Sequence, residues 1–142
     1  TKIYNRKKFS DYSTSIFYKA QRYGYKFSFV LIDLDKFKLI NDNYGHSNGD
    51  KFICTAADTF KMVFPDNSYR IGGDEFVIIE QNIERDKYEE RITALKNIMQ
   101  DKQVSISIGV LWREYVDDLE ELLKAADKLM YKEKEMYHNN RE

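Results

Sequence analysis

"RIGGDEFVII", residues 70–79, sets two adjacent glycines and two adjacent carboxylates directly against a run of strand-forming residues. Gly72 and Gly73 separate "SYRI" from "DEFVIIE", and two glycines between strand-forming runs predict a tight β-hairpin. The carboxylates of Asp74 and Glu75 stand where the second strand begins. No basic residue beside them in sequence neutralises them, so the hairpin asks for a partner from elsewhere in the chain.

Upstream, "KFSFVLIDLD" (26–35) is an apolar run that ends in two acids. It lacks alternation and therefore reads as a central strand covered on both faces. Before it, Phe9, Tyr12, Ile16, Ala20 and Tyr23 recur at helical spacing, and Gly24 is a plausible stop. After it, a brief helix "KFKLIND" (36–42) leads to a loop "NYGHSNGD" (43–50). Phe52, Ala56, Phe60 and Phe64 then mark a helix over 51–64, ended by Pro65.

Downstream of the hairpin, Tyr88, Ile92, Leu95 and Met99 form another helical stripe. "VSISIGV" (104–110) alternates strictly and places Val104, Ile106, Ile108 and Val110 on one face. The last helix has capping-box candidates at Asp117–Glu120 and Asp118–Glu121 and an apolar stripe of Leu122, Ala126 and Met130. Helices between strands, with one tight hairpin, imply an α/β (α+β) fold: a mixed sheet with helices packed on it.

The 142 residues suit one domain with a real core. A formal net charge of −1 leaves no bulk electrostatic footprint for a polyanion such as nucleic acid. The single cysteine, Cys54, excludes an internal disulfide framework and suits a reducing cytoplasm. No apolar stretch approaches membrane-spanning length, and no signal-peptide pattern opens the chain.

Strand geometry puts the side chains of Asp33 and Asp35 on one side of the sheet and Leu34 on the other. If the two acidic strand ends are neighbours, Asp33 and Asp74 converge, and converging carboxylates repel unless protonated or bridged by a cation. Hard oxygen ligands suit Mg²⁺, which takes further ligands from water and a phosphate substrate. Glycines in the hairpin let a planar ligand or polyphosphate approach the backbone. The plainer alternatives are that Asp35 caps the helix after it and that Asp74 and Glu75 are solvated turn acids. Between the acidic strand ends lies "INDNYGHSNGD" (40–50), with Asn41, Gly45, His46, Gly49 and Asp50. An amide that donates and accepts, paired with a carboxylate, suits the edge of guanine.

These motifs, in this order, resemble the GGDEF family, the catalytic domain of diguanylate cyclases. "TKIYNRKKF" (1–9) is similar to the family's opening motif. "DLDKFKLINDNYGHSNGD" (33–50) resembles its nucleotide-binding stretch, and "RIGGDEF" (70–76) carries its signature. "VSISIGV" and "LLKAADKLMYKEK" (122–134) resemble its late strand and final helix.

The resemblance implies a palm-like sheet, mainly antiparallel, as in nucleotide cyclases. It implies condensation of two GTP into cyclic di-GMP and two pyrophosphates across a homodimer, with no DNA or RNA template. Asp33, Asp74 and the backbone carbonyl of Leu34 would hold Mg²⁺ (or Mn²⁺). Asp74 would serve as general base, with Glu75 beside it as the second signature acid. Asn41 and Asp50 would read guanine, supported by His46. Backbone amides at Lys36 and Phe37, with Lys134, would bind phosphates, and Gly72 and Gly73 would clear space for the nucleotide.

Two departures carry expectations. The family's inhibitory product site, R-x-x-D, reads Val63 to Asp66 here, so tight product inhibition through it is expected to be absent. Tyr137 and His138 replace a Gly-Arg pair after the phosphate lysine, so GTP affinity or turnover is expected to fall. The resemblance further implies one domain over 1–142, excised from a longer bacterial protein with an upstream sensor or dimerising segment. A cytoplasmic domain is expected, with any membrane anchor in the missing N-terminal part. The alternative is a catalytically weak GTP-binding module that regulates a partner domain.

Overall fold

A computed structural model describes residues 6–35, 42–65 and 68–141, with the side chains of 6–10, 46 and 137–141 outside the description. The elements run α1 (Arg6–Tyr23), β1 (Phe27–Leu34), α2 (His46–Val63), β2 (Ser68–Arg70), β3 (Glu75–Gln81), α3 (Arg85–Asp101), β4 (Ile106–Arg113) and α4 (Leu119–Arg141). The sheet has the order β2-β3-β1-β4, and every pairing is antiparallel. The acid-tipped strand β1 is therefore central, bonded to the hairpin strand β3 on one side and to β4 on the other.

One sheet face carries the even-numbered residues of β1, Val30, Ile32 and Leu34, with Phe76, Ile78 and Ile108 from its neighbours. Helix α2, with Phe64 just past its end, and helix α3 cover it with Phe60, Phe64, Tyr88 and Leu95, all buried. The odd-numbered residues Phe27, Phe29 and Leu31 face the other way, where Phe17 and Ala20 of α1 and Leu122 and Ala126 of α4 pack on them. Burial of β1 on both faces is what its unbroken apolar run requires.

The stripes of α3 and α4 and the apolar face of β4 lie where their periods place them. Gly24 follows α1 in a left-handed conformation, φ 69°, which glycine adopts without steric cost. Asp118 caps α4, its Oδ1 accepting from the amides of Glu120 (3.0 Å) and Glu121 (3.4 Å).

Two expectations are corrected. In α1 the inward face is Ser13, Phe17 and Ala20, while Tyr12 and Tyr23 are 40% and 58% exposed. Tyrosine keeps a polar tip in water, so its count in a helical stripe does not set the buried face. Instead Tyr12 reaches across to the hairpin, its hydroxyl 2.7 Å from that of Tyr69. Second, most of 43–50 is not loop: residues 42–44 are helical and α2 starts at His46, six residues before the apolar stripe. Gly45, at φ 86°, supplies the turn into that helix. The expected helix over 36–42 falls almost wholly outside the described residues.

Candidate active site

The site grows from the strand ends. Asp33 pairs with Glu75 across β1 and β3, and the Leu34 amide donates to the Asp74 carbonyl at 2.9 Å. The hairpin acids are thereby bolted to the end of β1. Carboxylate oxygens of Asp33, Asp74 and Glu75 lie within 4.8 Å of one another, Asp33 buried and the other two half-buried.

Among these acids Asp74 holds its proton unusually well. Burial first, then the charge of Asp33 and a hydrogen bond with it, then Glu75, push the Asp74 carboxyl up to about 6. Protonated, Asp74 donates to Asp33; ionised, it repels it. Lys134 on α4 supplies positive charge, with Nζ 2.8 Å from Asp33 Oδ2. That hydrogen bond holds the ammonium above its ordinary range. The other oxygen, Asp33 Oδ1, is buried with no hydrogen-bond partner.

This donor set fits a hard divalent cation. It offers several anionic oxygens on rigid strand ends, a buried unpaired lone pair, and more negative charge than one lysine offsets. The Leu34 carbonyl belongs to the same strand end.

The two acids of "DLD" have different surroundings. Asp35 donates its amide to the Ser105 carbonyl (3.1 Å), and its carboxylate accepts from Ser105 Oγ (2.8 Å) and Ser107 Oγ (2.5 Å). Its side chain is bonded to β4, and the helix it was expected to cap lies almost wholly outside the described residues. Nothing in the motif distinguished Asp35 from Asp33; the two serine hydroxyls do, Ser107 reaching diagonally to Asp35 although it stands opposite Asp33 across the strands. Ser105 and Ser107 carried a signal that went unread, since they occupy the second face of an alternating strand and Ser107 is fully buried.

Arg70 is a second residue whose part was missed. Its Nε and Nη2 donate to the carbonyls of Gly72 (3.0 Å) and Gly73 (2.8 Å), bracing the tip of the hairpin. Gly72 has only ordinary van der Waals room to lose, a Cβ there meeting Glu75 at 3.6 Å, and its φ is not left-handed. Neither the hairpin backbone nor its packing demands that glycine.

Gly109 is the opposite case. A Cβ there would stand 1.9 Å from the carbonyl oxygen of Ala126, so α4 lies directly on the backbone of β4. That close approach carries Lys134, farther along α4, to the end of β1.

A cavity of about 560 Å³ opens beside Glu75 and Ile71, between Ser13 of α1 and Met130 of α4, over Phe29 and Leu31. A second, of about 650 Å³, lies behind Ser105 and is lined by Lys96, Gln100, Gln103 and Glu133. The first adjoins the acidic cluster and is the one of interest for chemistry, although the second is larger.

Of the other expected site residues, Asp50 is exposed early in α2 and is not gathered into the acidic cluster. Asn41, Lys36, Phe37 and Asp66 lie outside the described residues, as do the side chains of His46, Tyr137 and His138. Val63 ends α2, half-buried against the core.

The model of the family described as "Diguanylate cyclase, GGDEF domain" matches residues 1–140, and the chain belongs to that family. A diguanylate cyclase of Vibrio cholerae is 30% identical over 144 residues, covering 94% of this chain and 45% of that protein. The chain thus spans about half the length of that relative. The active GGEEF domain of a Vibrio cholerae diguanylate cyclase is similar at TM-score 0.77 and 28% identity, covering 90% of this chain and 88% of that one. The GGDEF domain of DgcB from Caulobacter crescentus, solved with c-di-GMP, superposes at TM-score 0.83 over 95% of this chain and 87% of its own. At 23% identity that likeness bears on the fold alone. Among the described residues no helix is long and apolar enough to cross a membrane.

Proposed function

We propose that this domain is a diguanylate cyclase, condensing two GTP into cyclic di-GMP within a homodimer in which each domain brings one nucleotide. The observation that carries the reading is the meeting of Asp33, Asp74 and Glu75 within 4.8 Å at the signature hairpin. Family membership over residues 1–140 supports it. We take 1–142 as one domain of a longer protein whose upstream part brings two copies together.

Each 3′-hydroxyl attacks the α-phosphorus of the opposite GTP, forming an O3′–Pα bond as the bond from Pα to the pyrophosphate oxygen breaks. The second, symmetric attack closes the ring. Asp74, whose carboxyl is pushed up to about 6 before any cation binds, would take the hydroxyl proton. Asp33 and Asp74, with the Leu34 carbonyl, would hold Mg²⁺ or Mn²⁺, which offsets the charge that develops on the transferring phosphoryl group. Lys134 serves the triphosphate, and Arg70 keeps the glycine turn open to it. Asn41, His46 and Asp50 read guanine, and the amides of Lys36 and Phe37 bind phosphate.

Concentrated protein incubated with GTP and Mg²⁺, with the nucleotides analysed by mass, tests this reading. Cyclic di-GMP from wild type and none from Asp74→Ala is the expected result. If wild type, also fused to a dimeriser, binds GTP but leaves it unchanged, the domain is a regulatory GTP-binding module instead.

A further inference from the structure

We infer that Lys134 and the divalent cation compete for Asp33, so that metal and triphosphate bind cooperatively through the movement of one ammonium group. This rests on the metal-binding reading of Asp33 above and adds to it an order of assembly. Lys134 Nζ is 2.8 Å from Asp33 Oδ2, and Asp33 shares with Asp74 and Glu75 a cluster only 4.8 Å across. A cation bridging Asp33 and Asp74 would therefore sit in ionic contact range of the ammonium. Like charges at that separation, beside a carboxylate whose side chain is 6% exposed, oppose each other strongly.

The ion pair is not a finished structural bridge. A buried pair is favourable only where the remaining lone pairs are also satisfied, and Asp33 Oδ1 has no partner. The lysine end is the movable one: its side chain is 33% exposed, on a flexible four-carbon stem. A triphosphate offers that ammonium new acceptors and draws it off Oδ2, which frees the carboxylate for the metal. By linkage, the nucleotide then tightens metal binding by the factor by which metal tightens nucleotide binding.

Mn²⁺ binding, followed by the paramagnetic resonance of the free ion, tests the competition without any turnover. Wild type, Lys134→Met, Lys134→Gln and Asp33→Asn are titrated without nucleotide. Affinity of the non-cyclising α,β-methylene analogue of GTP is then measured at saturating Mn²⁺. Lys134→Met is expected to bind Mn²⁺ about tenfold more tightly than wild type while binding the analogue more weakly, since a unit of opposing charge has gone. Lys134→Gln keeps a donor to Asp33 without the charge and is expected to tighten Mn²⁺ binding likewise. A merely structural lysine would not raise metal affinity on removal. Unchanged or weaker Mn²⁺ binding in both lysine variants, with Asp33→Asn still abolishing it, overturns the competition and leaves the metal site standing. Mn²⁺ binding by Asp33→Asn equal to that of wild type, or by none of the four proteins, overturns both.

Discussion

Replacing Gly109 by alanine puts a methyl carbon 1.9 Å from the Ala126 carbonyl oxygen and 3.0 Å from the Met130 amide nitrogen. Both are backbone atoms of α4, so no side chain can turn aside, and the helix must retreat by roughly 1 Å or more. Overpacking of this kind costs typically 1–3 kcal/mol, and a backbone-on-backbone clash belongs at about 3. With an unfolding entropy of about 2.1 cal/mol/K per residue, that lowers the Tm of a chain this long by about 10 °C. Retreat of α4 also carries Lys134 away from the strand end where it is proposed to serve the triphosphate, so GTP affinity is expected to fall with stability. Gly72→Ala is the control, because its Cβ meets nothing closer than 3.6 Å. It is expected to keep Tm within about 2 °C, as surface changes usually do, yet to lose most cyclase activity if, as proposed, the nucleotide approaches this turn. Thermal melts and GTP turnover on both variants are the assay. A Gly109→Ala protein that melts with wild type, or a Gly72→Ala protein that cyclises normally, refutes the assignment of one glycine to packing and the other to ligand clearance.

The Asp74 carboxyl, raised from 3.8 to about 6, predicts a pH effect without metal. Between those values the folded state keeps a proton that the unfolded state has released, so stability falls as pH rises through the window and the loss is complete above the folded value. In chelator, urea midpoints measured between about pH 5 and pH 7.5 should drop more for wild type than for Asp74→Asn; parallel curves would rule this out. Ser107→Ala removes a buried donor to Asp35 and should cost about 2 kcal/mol. Adding Asp35→Asn should recover part of that loss by removing the stranded charge, and strict additivity in the double variant would contradict the pairing. On the proposed arrangement of one GTP per domain, the rate per domain should climb steeply with protein concentration, and a constant specific rate would count against the dimer. With valine at position 63, cyclic di-GMP should inhibit weakly; nanomolar inhibition that depends on Asp66 would contradict this.

The sequence alone determined what local periodicity controls. The hairpin, the both-faced burial of β1, the stripes of α3 and α4 and the apolar side of β4 are set by which residues recur at a spacing of a strand or a helix turn. The signature acids were legible for the same reason, since two carboxylates at the mouth of an apolar strand conflict with local burial and need a partner. Where polarity and periodicity parted, sequence reasoning misplaced the structure. It counted the tyrosines of α1 as core, and it took the polar first turn of α2 for loop because the apolar stripe begins later.

Tertiary structure alone decided the pairings between distant segments. Asp33 and Asp35 are equivalent in the motif, yet Ser107, which stands opposite Asp33 in the register, turns its hydroxyl with that of Ser105 to Asp35 and leaves Asp33 to face Asp74, Glu75 and Lys134. No local period records that choice, because hydrogen bonds across a sheet depend on which strands are neighbours and in what register. The same holds for Gly109, whose missing side chain matters only once α4 lies on it. The glycines and acids of residues 72–75 were readable as an unsatisfied turn; what satisfies them arrives from β1 and α4, through contacts that exist only in the folded chain.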